Sequence, residues 1–201
     1  VENSARFFSN TDLKRLPSGT GSSLRGTLSV WVKFGDDDTE MAIIGGFDNS
    51  GADDDDGYMV FKRLNSGELQ FRGGDDVYLT SNSQFYDLSA WYHIVLAIDS
   101  TQNSNNAQRI YVNGQELTDF ATRNNLTNLQ DLPMNTTAGN DDALLIGCDE
   151  DTGGKGLYFN GYMCEFFWID GTQYAASNFG ETNDNGIWIP KKGEDIVDDL
   201  T

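Results

Sequence analysis

The chain has 201 residues, 38% of them hydrophobic and 12% aromatic, which is enough apolar material for one undivided all-β domain. Acidic residues number 32 and basic residues 13, so the formal net charge is -19 at pH 7. This charge repels phosphate backbones and argues against nucleic acid as a partner. No stretch approaches the ~20 apolar residues needed for membrane insertion.

Most of the chain has the period of two that is typical of β-strands. In Gly26–Phe34 every second residue from Leu28 is apolar, and Trp31 falls on the alternate, more polar side. In Trp91–Asp99 both faces are apolar, which indicates a central strand. We therefore expect Trp91 to pack in the core, and the loss of Trp91 to destabilise the protein more than the loss of Trp31.

The strongest local signal is the pair Asn113-Gly114 between two apolar stretches. This pair tolerates the positive φ angles of a type I′ turn, so a tight hairpin is predicted over Arg109–Leu117. Further strands are predicted at Ala5–Phe8, Met41–Phe47, Tyr58–Arg63, Glu68–Arg72, Val77–Thr80, Ala143–Cys148, Leu157–Phe159 and Tyr162–Asp170. No convincing helical period is present, and Asp119–Asp142 is expected to cross between sheets or form a surface loop.

Two cysteines and one histidine are too few for a disulfide framework or a Cys/His metal site. Cys148 and Cys164 form either one bridge or two reduced, half-buried thiols, and the thiols are the favoured interpretation. We expect His93 to be a packed residue or a residue at the rim of the sandwich rather than a catalytic base.

Five segments, in this order, resemble the laminin-G/pentraxin-like segments of concanavalin-A-like domains. They are Leu28–Lys33, Leu88–Asp99, Arg109–Gly114, Ala143–Gly147 and Phe159–Phe166. The resemblance implies an all-β, two-sheet antiparallel β-sandwich, a concanavalin-A-like jelly roll, over residues 1–170. Residues 171–201 would then be a short C-terminal extension that packs on the sandwich or on a neighbouring subunit.

The extension resembles the carboxyl end of laminin-G-like structural proteins of tailed, often marine, bacteriophages. The segments that carry this resemblance are Phe166–Gly171, Ser177–Glu181 and Gly186–Lys191. It implies a virion-surface component, such as a tail fibre, a tail tip or a capsid decoration protein. Its implied partners are other virion structural proteins, further copies of the chain and host-surface carbohydrate. Trp188 and Phe179 are the expected assembly residues.

The sequence shows no paired carboxylates of the kind that glycosidases place on one strand, since Glu165 is alone in its strand and Asp170 ends it. We therefore expect a protein that binds and does not catalyse. Two alternatives are an extracellular, calcium-dependent lectin-like module and a divergent glycan-active enzyme.

Acidic loops supply the candidate metal ligands. Calcium takes six to eight oxygen ligands, and the best candidates for them are Asp48, Asp53, Asp54, Asp55 and Asp56. Calcium is the only cofactor that the sequence suggests, and solvated turns in an acidic protein are the favoured interpretation of these residues.

Aromatic residues supply the candidate carbohydrate ligands, because sugars stack their C–H surface on flat rings. Trp31, Tyr111 and Trp168 lie off the obvious core stripe and are the candidates. The favoured alternative is that they pack beneath loops or against a neighbouring subunit.

Overall fold

The computed structural model describes residues 3–17, 19, 21–47, 57–73, 76–102, 104–126, 131–133, 143–151 and 153–200. It is 51% strand and 7% helix, and its two large antiparallel sheets form a sandwich. The predicted fold class is therefore confirmed. No helix among these residues is long and apolar enough to cross a membrane.

The first sheet has six strands in the order β1-β15-β3-β8-β9-β10. Their bounds are β1 Ala5–Phe7, β3 Arg25–Phe34, β8 Tyr92–Asp99, β9 Gln108–Val112, β10 Gln115–Glu116 and β15 Gly161–Asp170. The predicted hairpin joins β9 to β10, and Asn113 and Gly114 have φ values of 49° and 81°. These are the positive angles that a type I′ turn requires.

The second sheet has seven strands in the order β11-β7-β6-β5-β4-β12-β2. Their bounds are β2 Leu13–Arg15, β4 Met41–Phe47, β5 Tyr58–Arg63, β6 Glu68–Gly73, β7 Asp76–Gln84, β11 Phe120–Arg123 and β12 Ala143–Ile146. Both β2 and β11 were missed in the sequence. β11 lies inside the segment from which only a crossing or a loop was expected.

The main core lies between the two sheets. Leu28, Val30 and Val32 of β3 face it from one side, and Phe61 and Phe71 face it from the other. The cross-strand partners Phe61 and Phe71 align on one face of the second sheet, because strands in register bring equivalent positions together. The period of two therefore places one face of each sheet in this core.

Residues 157–159 form a loop, so the predicted strand Leu157–Phe159 is wrong. Leu157 has a φ of 45°, and its carbonyl accepts a hydrogen bond from the Ala42 N–H at 2.7 Å. The strands nearby are instead a short hairpin, β13 Asp149–Asp151 and β14 Gly154–Gly156, which lies over β4 and β5.

The C-terminal extension has its own elements. They are a 3₁₀ turn at Ala176–Asn178, a small hairpin of β16 Gly180–Thr182 and β17 Trp188–Pro190, and the helix α1 Gly193–Leu200. A helical period in so short a segment gives a weak sequence signal, which explains why α1 was not predicted.

Both cysteines are free and buried, so no bridge joins them. Burial raises the pKa of Cys148 to about 12 and that of Cys164 to about 11. The favoured interpretation of two reduced thiols agrees with this arrangement.

Candidate functional site

The outer face of the six-stranded sheet is covered by the chain's own C-terminal extension, and we call it the capped face. Alternation along β8 directs Tyr92 and Ile94 into the main core and Val95 and Ala97 outward. The outward residues form a second apolar cluster with Ala176, Phe179 and Ile196 of the extension. One face of β8 packs in the main core and the other packs under the extension, which explains why both faces are apolar.

Trp188 fastens the extension to the sheet. Its indole Nε1–H donates a hydrogen bond to His93 Nδ1 at 3.0 Å. Its ring lies so close to two glycines that a Cβ on Gly114 would stand 2.6 Å from it and a Cβ on Gly180 2.5 Å. Contacts this short exclude any side chain at either position. The Trp188 ring therefore packs directly against the hairpin turn at Gly114 and against Gly180 of β16.

His93 is fully buried between two aromatic rings of the capped face. Its ring centroid is 5.1 Å from that of Trp31 and 5.9 Å from that of Trp188. Nδ1 accepts from Trp188, so the proton of the neutral ring lies on Nε2 and is donated to Ser29 Oγ at 2.9 Å. Burial lowers the pKa of His93 to about 4, and the ring is neutral at pH 7.

The predicted aromatic ligands are corrected by this arrangement. Trp31 is only 6% exposed and Tyr111 only 7%. Trp31 stacks on His93, and Tyr111 packs in the apolar cluster with the extension. Trp168 is half-buried, packs against the main core and lies beside Gly26. Neither Trp31 nor Tyr111 offers an open ring face to a sugar. Their side of the strand was identified correctly, but its exposure was not.

The predicted assembly residues Trp188 and Phe179 also lie on the capped face. Phe179 is 1% exposed and contacts Phe167 and Tyr174. Their described contacts are with this chain, and a role toward another subunit stays a prediction.

The outer face of the seven-stranded sheet is mostly polar over β5, β6 and β7, and we call this part the open face. Over β12 the same side of the sheet is apolar and covered, since Leu145 is buried in a cluster with Cys148. The open face is centred on Tyr58 and Lys62 of β5, Gln70 and Arg72 of β6, and Thr80 of β7. Cross-strand register aligns Lys62 with Gln70 and Gln70 with Thr80, while Val60 lies opposite Arg72. These side chains share one face because Phe61, Phe71 and Leu79 point into the core.

Side chains on the open face are held by one another. The Gln70 amide donates to Thr80 Oγ1 at 3.1 Å, and Lys62 Nζ pairs with Glu40 at 2.7 Å. The Arg72 guanidinium lies 5.8 Å from the centroid of the Tyr58 ring. Most of the central polar side chains are half-buried. Together they form a surface of hydrogen-bond donors and acceptors whose positions are fixed by these contacts.

One border of the open face is the β13–β14 hairpin. Tyr58 donates its hydroxyl hydrogen to Asp149 Oδ2 at 2.8 Å, and Asp149 is itself buried. A Cβ on Gly45 would stand 2.8 Å from the Asp149 Cα, so glycine at this position lets the hairpin lie directly on β4.

The predicted calcium ligands Asp48, Asp53, Asp54, Asp55 and Asp56 lie outside the described residues, and the calcium site stays a prediction. Among the described residues, Asp36, Asp37 and Asp38 bring one carboxylate oxygen each within 4.8 Å of the others. Asp36 accepts the backbone N–H of Asp38, which lowers its pKa. The hydrogen bond and negative charge of Asp36 raise the pKa of Asp38.

The sequence model of the concanavalin A-like lectin/glucanases superfamily matches residues 8–177. The chain belongs to this superfamily. No curated protein sequence matches it significantly.

Several solved structures share the fold at low sequence identity. A carbohydrate-binding module (CBM40) of a Ruminococcus gnavus sialidase is 12% identical, with a TM-score of 0.53 over 83% of this chain and 92% of the module. Domain 4 of a Geobacillus stearothermophilus arabinanase, solved with arabinotriose, is 15% identical, with a TM-score of 0.54 over 85% and 72%. A putative carbohydrate-binding protein of Bacteroides ovatus is 18% identical, with a TM-score of 0.60 over 94% and 52%.

Gln70 and Arg72 were missed as candidate ligands, although their signal was present. Glu68, Gln70 and Arg72 alternate with the apolar Leu69 and Phe71, and this pattern predicts one polar face. What the sequence could not show is that Gln70 and Arg72 remain partly exposed while the matching face of the other sheet is covered.

Proposed function

We propose that this protein is a non-catalytic carbohydrate-binding module whose ligand lies across the open face. The observation that carries the proposal is the difference between the two outer faces. The aromatic rings of the capped face are buried, and Tyr111 and Phe179 pack in one cluster with the extension. The open face instead keeps half-buried amide, guanidinium and hydroxyl groups beside the buried ammonium of Lys62. The carbohydrate-binding proteins that share the fold support this proposal.

The chemistry of the open face suits sugar hydroxyls. A hydroxyl both donates and accepts, and the open face combines the guanidinium of Arg72 with the amide of Gln70 and the hydroxyl of Thr80. Polar side chains that are already ordered lose little conformational entropy when a ligand binds. The charge of Lys62 is balanced by Glu40, so the face favours a hydroxyl-rich ligand over a highly charged one.

The absence of catalysis is part of the proposal. A general base must reach the proton that it removes, but His93 is fully buried and both of its ring nitrogens are engaged. Glu165 is exposed at a β-bulge of β15. Asp170 accepts the backbone N–H of Ser22 at 2.8 Å. These residues do not assemble an acid–base pair.

The proposed setting is the surface of a virion, where glycan binding would attach the particle to its host. The support is the resemblance of residues 166–191 to bacteriophage structural proteins. In the structure these residues build the end of β15 and the cap over the sheet. Immunogold labelling of purified particles tests this setting, and label confined to the particle-free fraction contradicts it.

Binding is tested by screening the protein on a glycan array and titrating each positive glycan calorimetrically. We expect the double variant Gln70→Ala/Arg72→Ala to weaken binding at least tenfold, the size of about one lost hydrogen bond to a charged group. Gln115→Ala is the matched control, since Gln115 is an exposed glutamine on β10 of the other sheet. A double variant that binds as tightly as wild type, or no binding to any neutral glycan, contradicts the proposal.

A further inference from the structure

An exposed apolar edge lies where the first residues of the chain complete the sandwich. Strands β1 and β2 are edge strands of the two different sheets. Phe8, Leu13 and Leu16, on and beside them, are 59%, 54% and 60% exposed. Three large exposed apolar side chains within nine residues form a patch of the kind that marks an interaction surface.

A cleft opens between these edge strands. It has a volume of about 440 Å³. Its apolar walls are Ala5, Phe7, Leu13, Ile146, Met163 and Phe166. A cleft of this size accepts an apolar side chain from another surface.

The same edge is basic, in contrast to the rest of the chain. Residues 3–17 contain Arg6, Lys14 and Arg15 and a single acidic residue, Asp12, whose carboxylate pairs with Lys155 at 2.6 Å. Lys14 and Arg15 are exposed. In a protein of net charge -19 this edge would attract an acidic surface. We call residues 3–17 with the cleft the basic edge.

The helix α1 has the complementary character. It carries Glu194, Asp195, Asp198 and Asp199 and no basic residue. Ile196 is buried against the sheet, while the next residue, Val197, is 50% exposed beside the exposed Glu194 and Asp198. The outward side of α1 thus presents an apolar residue within a group of carboxylates.

The basic edge and α1 are neighbours on one molecule. Glu165 lines the cleft, and its Oε2 atom is 3.8 Å from the position that a Cβ on Gly193, the first residue of α1, would occupy. One continuous surface therefore has a basic apolar half and an acidic half. A two-fold dimer uses the same surface on both subunits and requires that surface to be complementary to itself.

We propose that this surface binds a second copy of the chain, with the basic edge of each subunit on helix α1 of the other. Val197 of one copy enters the cleft of its partner, and the carboxylates of α1 meet Lys14 and Arg15. A two-fold arrangement forms each of these contacts twice.

Sedimentation equilibrium of the full chain tests the proposal, and the expected mass is twice the 22.2 kDa of one chain. Reversing the charge of one half of the surface should give a monomer. The two charge-reversal variants are Lys14→Glu/Arg15→Glu and Asp195→Lys/Asp198→Lys. Asp184→Lys is the matched control, because Asp184 is exposed in the extension but outside α1, and it should remain a dimer. Unchanged far-ultraviolet circular dichroism shows that the variants are folded, whereas loss of the dimer is itself expected to lower their melting temperatures.

Mixing the two reversed variants gives the sharpest result. One has two acidic halves and the other two basic halves, so each repels itself, but together they should restore a dimer of one copy each. A wild-type protein that is monomeric at submillimolar concentration overturns the proposal, as does a reversed variant that stays dimeric. A monomer that instead sediments with anionic lipid vesicles through Lys14 and Arg15 also overturns it and assigns the edge to membranes.

Discussion

The two outer faces of the sandwich differ in how far their outward side chains are exposed. On the six-stranded sheet the outward residues Trp31, His93 and Val95 are buried, and His93 and Val95 contact the extension directly. On the seven-stranded sheet the outward residues Gln70 and Arg72 remain half-buried and polar. Alternation tells which residues leave the main core, but whether they meet solvent depends on what the rest of the chain places over them. Of these two outer faces, the open face is therefore the candidate for sugar binding among the described residues.

Removing the cap should have the largest effect. We expect truncation after Asp170 to expose the aromatic and aliphatic residues of the capped face, and the shortened chain to aggregate or to lose its cooperative thermal transition. This reverses the simpler expectation that the sandwich is complete at residue 170. Truncation after Lys192 removes only α1, with its buried Ile196, and should destabilise the protein less. A monomeric 1–170 chain with the wild-type melting temperature contradicts the comparison.

The next largest effect is expected for the stability lost on replacing Trp31 or Trp91 by alanine. Trp31 lies on the capped face at 6% exposure, so Trp31→Ala should cost about 3–5 kcal/mol of unfolding free energy. Trp91 is half-buried just before β8, so Trp91→Ala should cost clearly less. This order is the reverse of the sequence-based expectation. Urea melts of the two variants measure it, and a larger loss for Trp91→Ala means that the cap does not bury Trp31.

His93 makes the capped face sensitive to pH. The unfolded chain takes up a proton near pH 6.5, whereas the folded chain does so only near pH 4. Stability is therefore full above pH 6.5, falls as the pH drops from 6.5 to 4, and loses about 3 kcal/mol in total from this group. Urea melts between pH 7 and pH 4.5 should show a smaller fall in His93→Gln, which does not titrate. Equal slopes in the two proteins would mean that His93 is solvated.

The smallest expected effect concerns the reactivity of the two thiols in the native protein. Cys148 and Cys164 are buried and their pKa values are raised to about 12 and about 11, so neither has an appreciable thiolate population at pH 8. We expect no reaction with a disulfide reagent in the native protein and two reacting thiols in denaturant. Rapid labelling of Cys164, which pairs with Trp31 of β3 and lines the cleft beside β1, would contradict the burial of its thiol.

Much of the sandwich could be predicted from the sequence, because its long strands have a clear period of two and Asn113-Gly114 specifies its turn. The short strands β2 and β11 were missed, since three or four residues give almost no period. The error at Trp31 has a different origin. Its position on the strand was right, but Trp31 is buried against His93, which is far from it in the chain and is itself bound by Trp188. Long-range coverage of this kind leaves no local pattern.

The difference between the two faces is tested most directly by NMR titration of the protein with a glycan that it binds. Our account predicts shifts for the Gln70 side-chain amide and the backbone of β5, β6 and β7. The indole N–H signals of Trp31 and Trp188 should stay unchanged under the cap. Shifts at these two indoles, with Gln70 unaffected, would contradict it and place the ligand on the six-stranded sheet.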